Sequence, residues 1–518
     1  MQKITTAHSQ PLFDVAATRR IEQLAANALP PNLLMQRAGL AVARLAMAVA
    51  PHAQCIWVAC GPGNNGGDGL EAAMHLHRWG KRVVVTWTGA AKNGLQNDAE
   101  TARARATAAG VEFAQQPPPN FDFCIDAVLG IGAIFEPVRE GTALMLQWLQ
   151  VMRDSSAPCL AVDVPSGLNA DTGAAHAINA IKSGAACAHN TRARGQFTIS
   201  LMTLKPGLFT FEGRDSAGQV WFDDLGIDVP HTEPPSAWLL GADSVAAPER
   251  LHSVHKGSFG DVAIVGGEVG GEVGGESTAS SHMAGAALLA ARAALHAGAG
   301  RVFVALLGSG ASCRLAVDTN QPELIFRSFE ALVLHQQVVV CGCGGGQAVK
   351  AVLPEVLSTA TRLVLDADAL NAIASDTQLQ TMLRARTARG DATVLTPHPL
   401  EAARLLQTSA ASIQSDRRKA AAELANLYQS VVVLKGSGSV VAGPGQTSRI
   451  NASGNALLAT AGTGDVLAGM VGANLAKGLQ PFDAACSAVF MHGRAADNWK
   501  QSQPHQALTA SKLAAVSG

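Results

Sequence analysis

The sequence predicts two α/β domains in series, each a largely parallel sheet with helices on both faces. Three observations carry this. At 518 residues the chain exceeds what one ordinary core holds, so two or three domains are expected. Short apolar runs rich in Val and Ile alternate with helical stretches along two long segments, the pattern of β-α-β units. Between those segments, residues 207–250 turn to Pro, Asp and Glu with weak periodicity.

Residues 15–50 are expected to be helical, since Ile21, Leu24, Ala25, Ala28, Leu33, Leu34 and Leu40 fall on one helical stripe. Strands follow at 55–60 (CIWVAC), 82–87 (RVVVTW), 122–126 (DFCID) and 159–163 (CLAVD), with helical segments between them. The stretch 207–250, including DVPHTEPPSAW, reads as a β-hairpin edge followed by a linker. The second run places strands at 260–267, 301–306, 337–341, 362–366, 392–395 and 431–434. Long helices at 464–477 and 481–500 close it. The repeat VGGEVGGEVGGE (265–276) is too short for a solenoid and reads as a flexible loop.

Composition narrows the function classes. Apolar residues at 48% leave material for buried cores, and the 52 glycines are aperiodic, which suggests ligand-binding turns rather than a fibre. A net charge of -1 argues against nucleic acid or an anionic membrane as the main partner. One Tyr and 15 Phe leave little for base stacking. The nine cysteines are scattered, and the close pair Cys341 and Cys343 lies in a glycine run, so neither zinc spacing nor a disulfide framework is expected. The opening MQKITTAHSQPLF lacks an apolar signal region. Arg44, Arg292 and His296 interrupt the most apolar helical stretches, so no membrane span is expected. A cytoplasmic enzyme assembled as a homo-oligomer is the expectation.

The stretch CGPGNNGGDGLEAAMH (60–75) satisfies two glycine fingerprints at once. A P-loop needs Lys and then Ser or Thr after Gly66, where this chain has Gly67 and Asp68, whose carboxylate repels phosphate. The dinucleotide fingerprint needs an acidic residue at the end of the next strand, and RVVVTWTGAAKN supplies none. A strand-to-helix turn bearing Asn64, Asn65 and Asp68 remains, able to hold a polar ligand, an anion or a monovalent cation. Two other strands end in polar loops: Asp126 before Gly130 and Gly132, and Asp163 before Ser166 and Gly167. Each Asp alone would pass as a helix cap. Loops at the carboxyl ends of parallel strands meet in one crevice, so these residues are expected to converge.

GPGNNGGDGL, DAVLGIG and VDVPSGLNADTG, with LLMQRAG before them and LKPGL after, resemble the YjeF N-terminal domain, an NAD(P)HX epimerase, over roughly residues 10–230. The resemblance implies that Asn64, Asn65, Gly66, Gly67 and Asp68 bind the hydrated nicotinamide dinucleotide. It implies further substrate contacts from Gly130, Ile131, Gly132, Ala133, Ile134, Phe135, Glu136 and Asp163, and a potassium ion on Asn65, Asp126 and Ser166. Asp126 is also the candidate for proton handling.

In the second half, Gly462, Thr463 and Gly464 lead into a helix with Asp465 at its mouth. Backbone amides there can hold developing charge while a carboxylate takes a hydroxyl proton, which suits phosphoryl transfer. A strand then runs into Lys435, Gly436, Ser437, Gly438 and Ser439, small residues able to wrap a nucleotide or simply to turn a hairpin. His398 stands between two prolines before a helix, and Asp366 and Asp368 end another strand. Gly342, Gly344 and Gly346 let a ligand approach the backbone. The G-T-G-D run resembles the ribokinase superfamily. HKGSFGDVAIVGG, MAGAALLAARAALHAGAGRV, DADALN, TPHPLEAARLL and KGSGS narrow it to the ADP-dependent NAD(P)HX dehydratase, from about residue 250 to the end. That resemblance implies that Lys435 to Ser439 and Gly464 bind the adenine nucleotide, with Gly344, His398 and Asp465 on the hydrated dinucleotide. Two departures stand out: Cys343 and Gly345 replace a Pro and a large apolar residue, and the V-G-G-E repeats lengthen the first-strand loop.

The resemblances imply a Rossmann-like three-layer α/β/α domain over residues 1–235 and a ribokinase-like α/β/α domain over 245–518. The first would interconvert the R and S epimers of NADHX and NADPHX. The second would phosphorylate the C6 hydroxyl of the S epimer from ADP, with Mg2+, and expel phosphate, with Asp465 as base. Two alternatives stay open: a small-molecule kinase that stops at its phosphorylated product, and a catalytically silent dinucleotide-binding or interaction module in the first half.

Overall fold

The computed structural model describes residues 1–89, 98–131, 141–175, 195–245, 252–253, 255–270, 283–308 and 317–516. The chain divides into two compact units, Met1–Thr5 with Gln10–Ala237 and Thr6–Ser9 with Trp238–Gly518.

In the first unit, helices α1 (Val15–Ala28) and α2 (Leu33–Val49) precede the central strands of the sheet. The helical stretch expected over 15–50 forms as two helices, because Pro30 and Pro31 lack the N–H to continue the first and Asn32 turns left-handed at φ 63°. The sheet has eight strands, β1 (Gln2–Lys3) ahead of these helices and, after them, β2 (Cys55–Cys60), β3 (Arg82–Trp87), β4 (Glu112–Ala114), β5 (Phe123–Ala127), β6 (Cys159–Val162), β7 (Gln196–Leu201) and β8 (Gln219–Asp223). Their spatial order is β1-β8-β7-β6-β5-β2-β3-β4, and all pairs are parallel except β1 with β8. Helices α3 (Asn64–Arg78), α4 (Asp98–Ala108) and α5 (Thr142–Asp154) connect them. Alternation along β2 feeds two cores: Ile56, Val58 and Cys60 pack with Leu45 and Leu70, while Trp57 and Ala59 pack with Met145 and Trp148.

The expected hairpin edge within 207–250 is not formed. β8 pairs parallel to β7, because a buried helical turn at Pro206–Phe209 and a short helix at Gly213–Ala217 carry the chain back to the starting edge. Beyond it, β9 (Ala237–Leu239) joins the second sheet instead of serving as linker.

In the second unit the strands are β10 (Asp261–Gly266), β11 (Arg301–Leu306), β12 (Ile325–Phe326), β13 (Val338–Cys341), β14 (Arg362–Leu365), β15 (Ala392–Leu395), β16 (Val431–Leu434), β17 (Ser439–Ala442) and β18 (Arg449–Asn451). They run in the order β12-β11-β10-β13-β14-β15-β16-β17-β18-β9. Pairing is parallel up to β16 and antiparallel through β17 and β18. Helices α6 (Ala284–His296), α13 (Thr463–Ala476) and α14 (Pro481–Ser502) share one core with Val262, Ile264 and Val340. On the other face lie α7 (Val349–Thr359), α8 (Ala367–Ala374), α9 (Thr377–Ala385), α10 (Pro399–Leu405), α11 (Ala410–Ser415) and α12 (Arg417–Tyr428), against Val339, Cys341 and Leu363. Residues 271–276 of the V-G-G-E repeat lie outside the described residues.

In each sheet the chain direction of travel reverses once, between β2 and β5 and between β10 and β13. At such a switch point the loops after neighbouring strands part and leave a crevice at their carboxyl ends. Both sites lie there.

Candidate active sites

The turn after β2 is shaped by steric need. A Cβ on Gly61 would come 1.8 Å from the Val128 carbonyl oxygen, and one on Gly66 would come 2.0 Å from Gly61 O. The two glycines let the turn close onto the end of β5, while Gly67 packs on Met35. Helix α3 opens with Asn64 and Asn65. A cavity of about 560 Å³ lies in front of them, walled by Glu22, Asn64, Asn65, Asp68, Asp163 and Lys205 together with Gly130 and Ile131.

Asn64 donates through Nδ2 to Glu22 Oε1 at 3.3 Å. Asn65 is buried, and neither atom of its carboxamide has a hydrogen-bond partner among the described residues. Its side chain lies against Gly130, where a Cβ would stand 3.4 Å from Asn65 Oδ1. Asp126, near the end of β5, accepts from Val128 N at 3.2 Å, Ser166 N at 2.9 Å and Ser166 Oγ at 2.5 Å. Ser166 Oγ in turn accepts from Leu129 N at 2.8 Å. Burial pushes the Asp126 carboxyl upward against the pull of these bonds.

Asp163 follows β6 with φ 63°, a left-handed conformation that L residues rarely hold. Its Oδ1 accepts from Leu201 N at 3.0 Å and from Lys205 Nζ. Lys205 is fully buried and also donates to Leu201 O at 2.8 Å. Burial raises the carboxyls of Asp68 and Glu22, and the Asp163 charge adds to both shifts while Lys205 opposes them. The structure therefore gathers Asn64, Asn65, Asp68, Gly130, Ile131 and Asp163 on one cavity. Asp126 and Ser166 do not line it: they face a second cavity with Leu149, Met152 and Pro165, and meet the first through Leu129, whose N donates to Ser166 Oγ. Gly132, Ala133, Ile134, Phe135 and Glu136 lie outside the described residues. Sequence reasoning missed Glu22 and Lys205. Glu22 comes from a helix ahead of the sheet and carries no motif. Lys205 could have been found as the one charge in the apolar run after β7.

In the second unit Cys343 Sγ and carboxylate oxygens of Asp366 and Asp465 lie within 4.8 Å of one another. Asp366 follows β14 and accepts at Oδ1 from Lys435 Nζ at 2.6 Å and Thr396 Oγ1 at 2.8 Å. Burial would lower the Lys435 ammonium, but the charges of Asp366 and Glu401 outweigh it and raise it. Lys435 begins the turn between β16 and β17, where Ser439 Oγ accepts from Gly436 N at 3.3 Å. Its Nζ stands 3.2 Å from where a Cβ on Gly464 would sit, so the turn and the start of α13 meet. Asp465, in the first turn of α13, is pushed up to about 7 by burial and by Asp366. Beneath it, the buried His492 ring lies with Nε2 2.9 Å from Thr463 O and is held down to about 4 by burial.

His398 caps α10: Nδ1 accepts from Leu400 N at 3.0 Å and Glu401 N at 3.3 Å, and Glu401 Oε2 accepts from His398 N at 2.8 Å. Burial and then Lys435 lower the imidazole, while burial lifts Glu401 to about 7. Gly344 O accepts from Glu268 N at 2.6 Å across the switch point, beside Cys343. Gly344, His398, Lys435, Gly464 and Asp465 thus stand at one sheet edge. Cys343, Thr396 and Glu401 had no role in the sequence reading, because each is an ordinary residue there until the fold brings it to Asp366.

Residues 31–207 match the family described as YjeF-related protein N-terminus, and residues 274–517 match NAD(P)H-hydrate dehydratase. A bifunctional NAD(P)H-hydrate repair enzyme of Escherichia coli is 36% identical over 92% of this chain and 88% of its own length. One from Coxiella burnetii is 32% identical over 97% of each. The ADP-dependent (S)-NAD(P)H-hydrate dehydratase of Neisseria meningitidis is 40% identical, spanning 49% of this chain and 81% of its own. At that identity and end-to-end coverage, with both sites assembled at their switch points, the chain belongs to the family of bifunctional NAD(P)H-hydrate repair enzymes.

Proposed function

We propose that the first unit interconverts the R and S epimers of hydrated NADH and NADPH, and that the second dehydrates the S epimer at the expense of ADP. The observation that carries the second half is Asp465, poised at the mouth of α13 beside the Lys435–Asp366 pair. Hydroxide is a poor leaving group, so the C6 hydroxyl is first phosphorylated. Asp465 takes its proton, and the N-terminal amides of α13 with Lys435 meet the phosphoryl oxygens. Phosphate then leaves and the reduced ring is restored. Lys435 to Ser439 and Gly464 form the nucleotide side, while Gly344, His398 and Asp465 form the dinucleotide side. Magnesium is a hard ion that favours oxygen, so it belongs on the nucleotide phosphates rather than against the Cys343 thiol.

Potassium fits the first site. A buried carboxamide with no partner costs about 1–3 kcal/mol, which a ligand at Asn65 would recover. Asn65 and Ser166 supply neutral oxygens and Asp126 one charge, a set that suits a monovalent cation better than calcium. Bound there, the ion would fix the Gly130 loop beside substrate. Crystals soaked in rubidium or thallium should show an anomalous peak among these three residues, absent in Asn65→Ala. No peak, with equal epimerase rates in potassium and a large organic cation, removes the ion.

The whole reading is tested with purified protein, an epimer mixture of hydrated NADH, and ADP. Full recovery of reduced-nicotinamide absorbance supports both activities. Recovery of the S fraction alone, beyond the spontaneous epimerisation rate, leaves the first unit silent. No recovery, with nucleotide consumed on another alcohol, makes the second unit a different kinase.

A further inference from the structure

Epimerisation at C6 needs a proton carrier, because hydroxyl and ring nitrogen share that carbon. Opening breaks the hydroxyl O–H and the C6–N1 bond, forms C6=O, and delivers a proton to N1. Rotation about C5–C6 and attack of N1 on the other face reverse each change and give the opposite epimer. Some group must take the hydroxyl proton and return it.

Resting on the epimerase reading above, we infer that Lys205 is a positioning residue of that reaction: it fixes Asp163 so that this carboxylate exchanges the hydroxyl proton. Three observations support it. Asp126 has both oxygens engaged, Oδ1 by Val128 N and Ser166 Oγ, Oδ2 by Ser166 N. Asp163 is engaged at Oδ1 by Leu201 N and Lys205 while lining the cavity, and among the described residues Oδ2 has no hydrogen-bond partner, which leaves it for substrate. Lastly, Asp163 is held at φ 63°, and strain of that kind persists where the surroundings enforce it, commonly at functional sites.

Lys205 is fully buried. A fully desolvated ammonium costs several kcal/mol before pairing is counted. Here it is anchored twice, to Asp163 and Leu201 O, at the head of the buried turn Pro206–Phe209. On the same cavity wall stand the carboxyls of Glu22 on α1, Asp68 on α3 and Asp98 at the start of α4, with Arg19 of α1 a second cation among the described residues. Lys205 thus sets a positive charge against Asp163 in a cavity that carries three other carboxyls.

The test uses the full chain, with R-epimer conversion followed separately from S-epimer dehydration. Lys205→Met is expected to lower epimerase kcat about 10²-fold, the scale of a positioned general base, with KM changed less than about threefold. The acid limb of the epimerase pH profile should move to higher pH, which a purely structural lysine would not cause. Lys205→Arg should restore part of the rate, and S-epimer dehydration should be unchanged in both. Should Lys205→Met unfold the first unit, Lys205→Met with Asp163→Asn removes the unpaired charge, and its epimerase rate should match Asp163→Asn alone. A Lys205→Met rate within about threefold of the parent, with an unmoved acid limb, overturns the proposal. A double variant more active than Asp163→Asn does the same. If the parent chain itself fails to convert the R epimer, the epimerase reading fails instead.

Discussion

Asp465 shows how one residue's surroundings set its chemistry. Burial and the neighbouring Asp366 disfavour its charge, while the Cys343 thiol and Lys435 restore part of it, and the balance settles at about 7. A base works best when its pKa lies near the working pH. The sign follows directly: below about 7 the carboxyl carries a proton and cannot take another, so dehydratase kcat/KM should rise as pH increases through that value. A rate–pH profile on the S epimer checks this, and a profile flat from pH about 5.5 to 8 would contradict it. Asp465→Asn keeps the shape and removes the basicity, so ADP-dependent recovery should fall about 10²–10⁴-fold while epimerisation is untouched. Retention of more than about a tenth of the rate would assign the proton elsewhere.

At the scale of elements, the glycine-rich turn between β2 and α3 is a packing device that also presents two carboxamides. Gly61→Ala would drive a methyl into the Val128 carbonyl, which is backbone and cannot swing away. A loss of about 3 kcal/mol or more is expected, at the upper end of overpacking costs. Thermal unfolding of the first unit and its epimerase activity should drop together, whereas Gly63→Ala, which meets open space, should be mild. The sequence made β2, β3, β5 and β6 legible because a parallel strand covered on both faces is an unbroken apolar run. It hid β7, QFTISL, since the buried Thr198 and Ser200 look exposed until their hydroxyls are seen donating to Ala217 O and Thr203 O. It hid the crossover to β8 for a similar reason: nothing local distinguishes an edge hairpin from a strand that pairs parallel after two short helical turns. The candidate sites were legible where strand ends carry Asp, Asn or G-T-G-D. Lys435 meets Asp366 because of which loops the switch point brings together, and Glu22 reaches Asn64 from helix α1, so neither partner is set by its local sequence.

At the scale of the molecule, one chain carries an epimerase that makes the S form and a dehydratase that consumes it, so no R epimer is stranded. Every residue assigned to each reaction lies within its own compact unit. That supports proposing that the units fold and act separately, and it makes the cut point matter. A fragment 245–518 lacks β9, whose Trp238 and Leu239 pair parallel with Arg449 and Ile450 of β18. It also loses Leu239 and Leu240, each 1% exposed, and the Arg449 guanidinium over the Trp238 ring at 5.4 Å. A buried leucine contributes about 1.5–3 kcal/mol, so the shorter fragment should be less stable by at least about 3 kcal/mol. With β9 gone, β18 also becomes an open edge with apolar surface behind it, which favours aggregation. Urea unfolding of 237–518 and 245–518 should therefore show a clearly lower midpoint for the shorter one, with both retaining dehydratase activity when folded. Equal midpoints would mean that β9 is a tether rather than part of the sheet's stability.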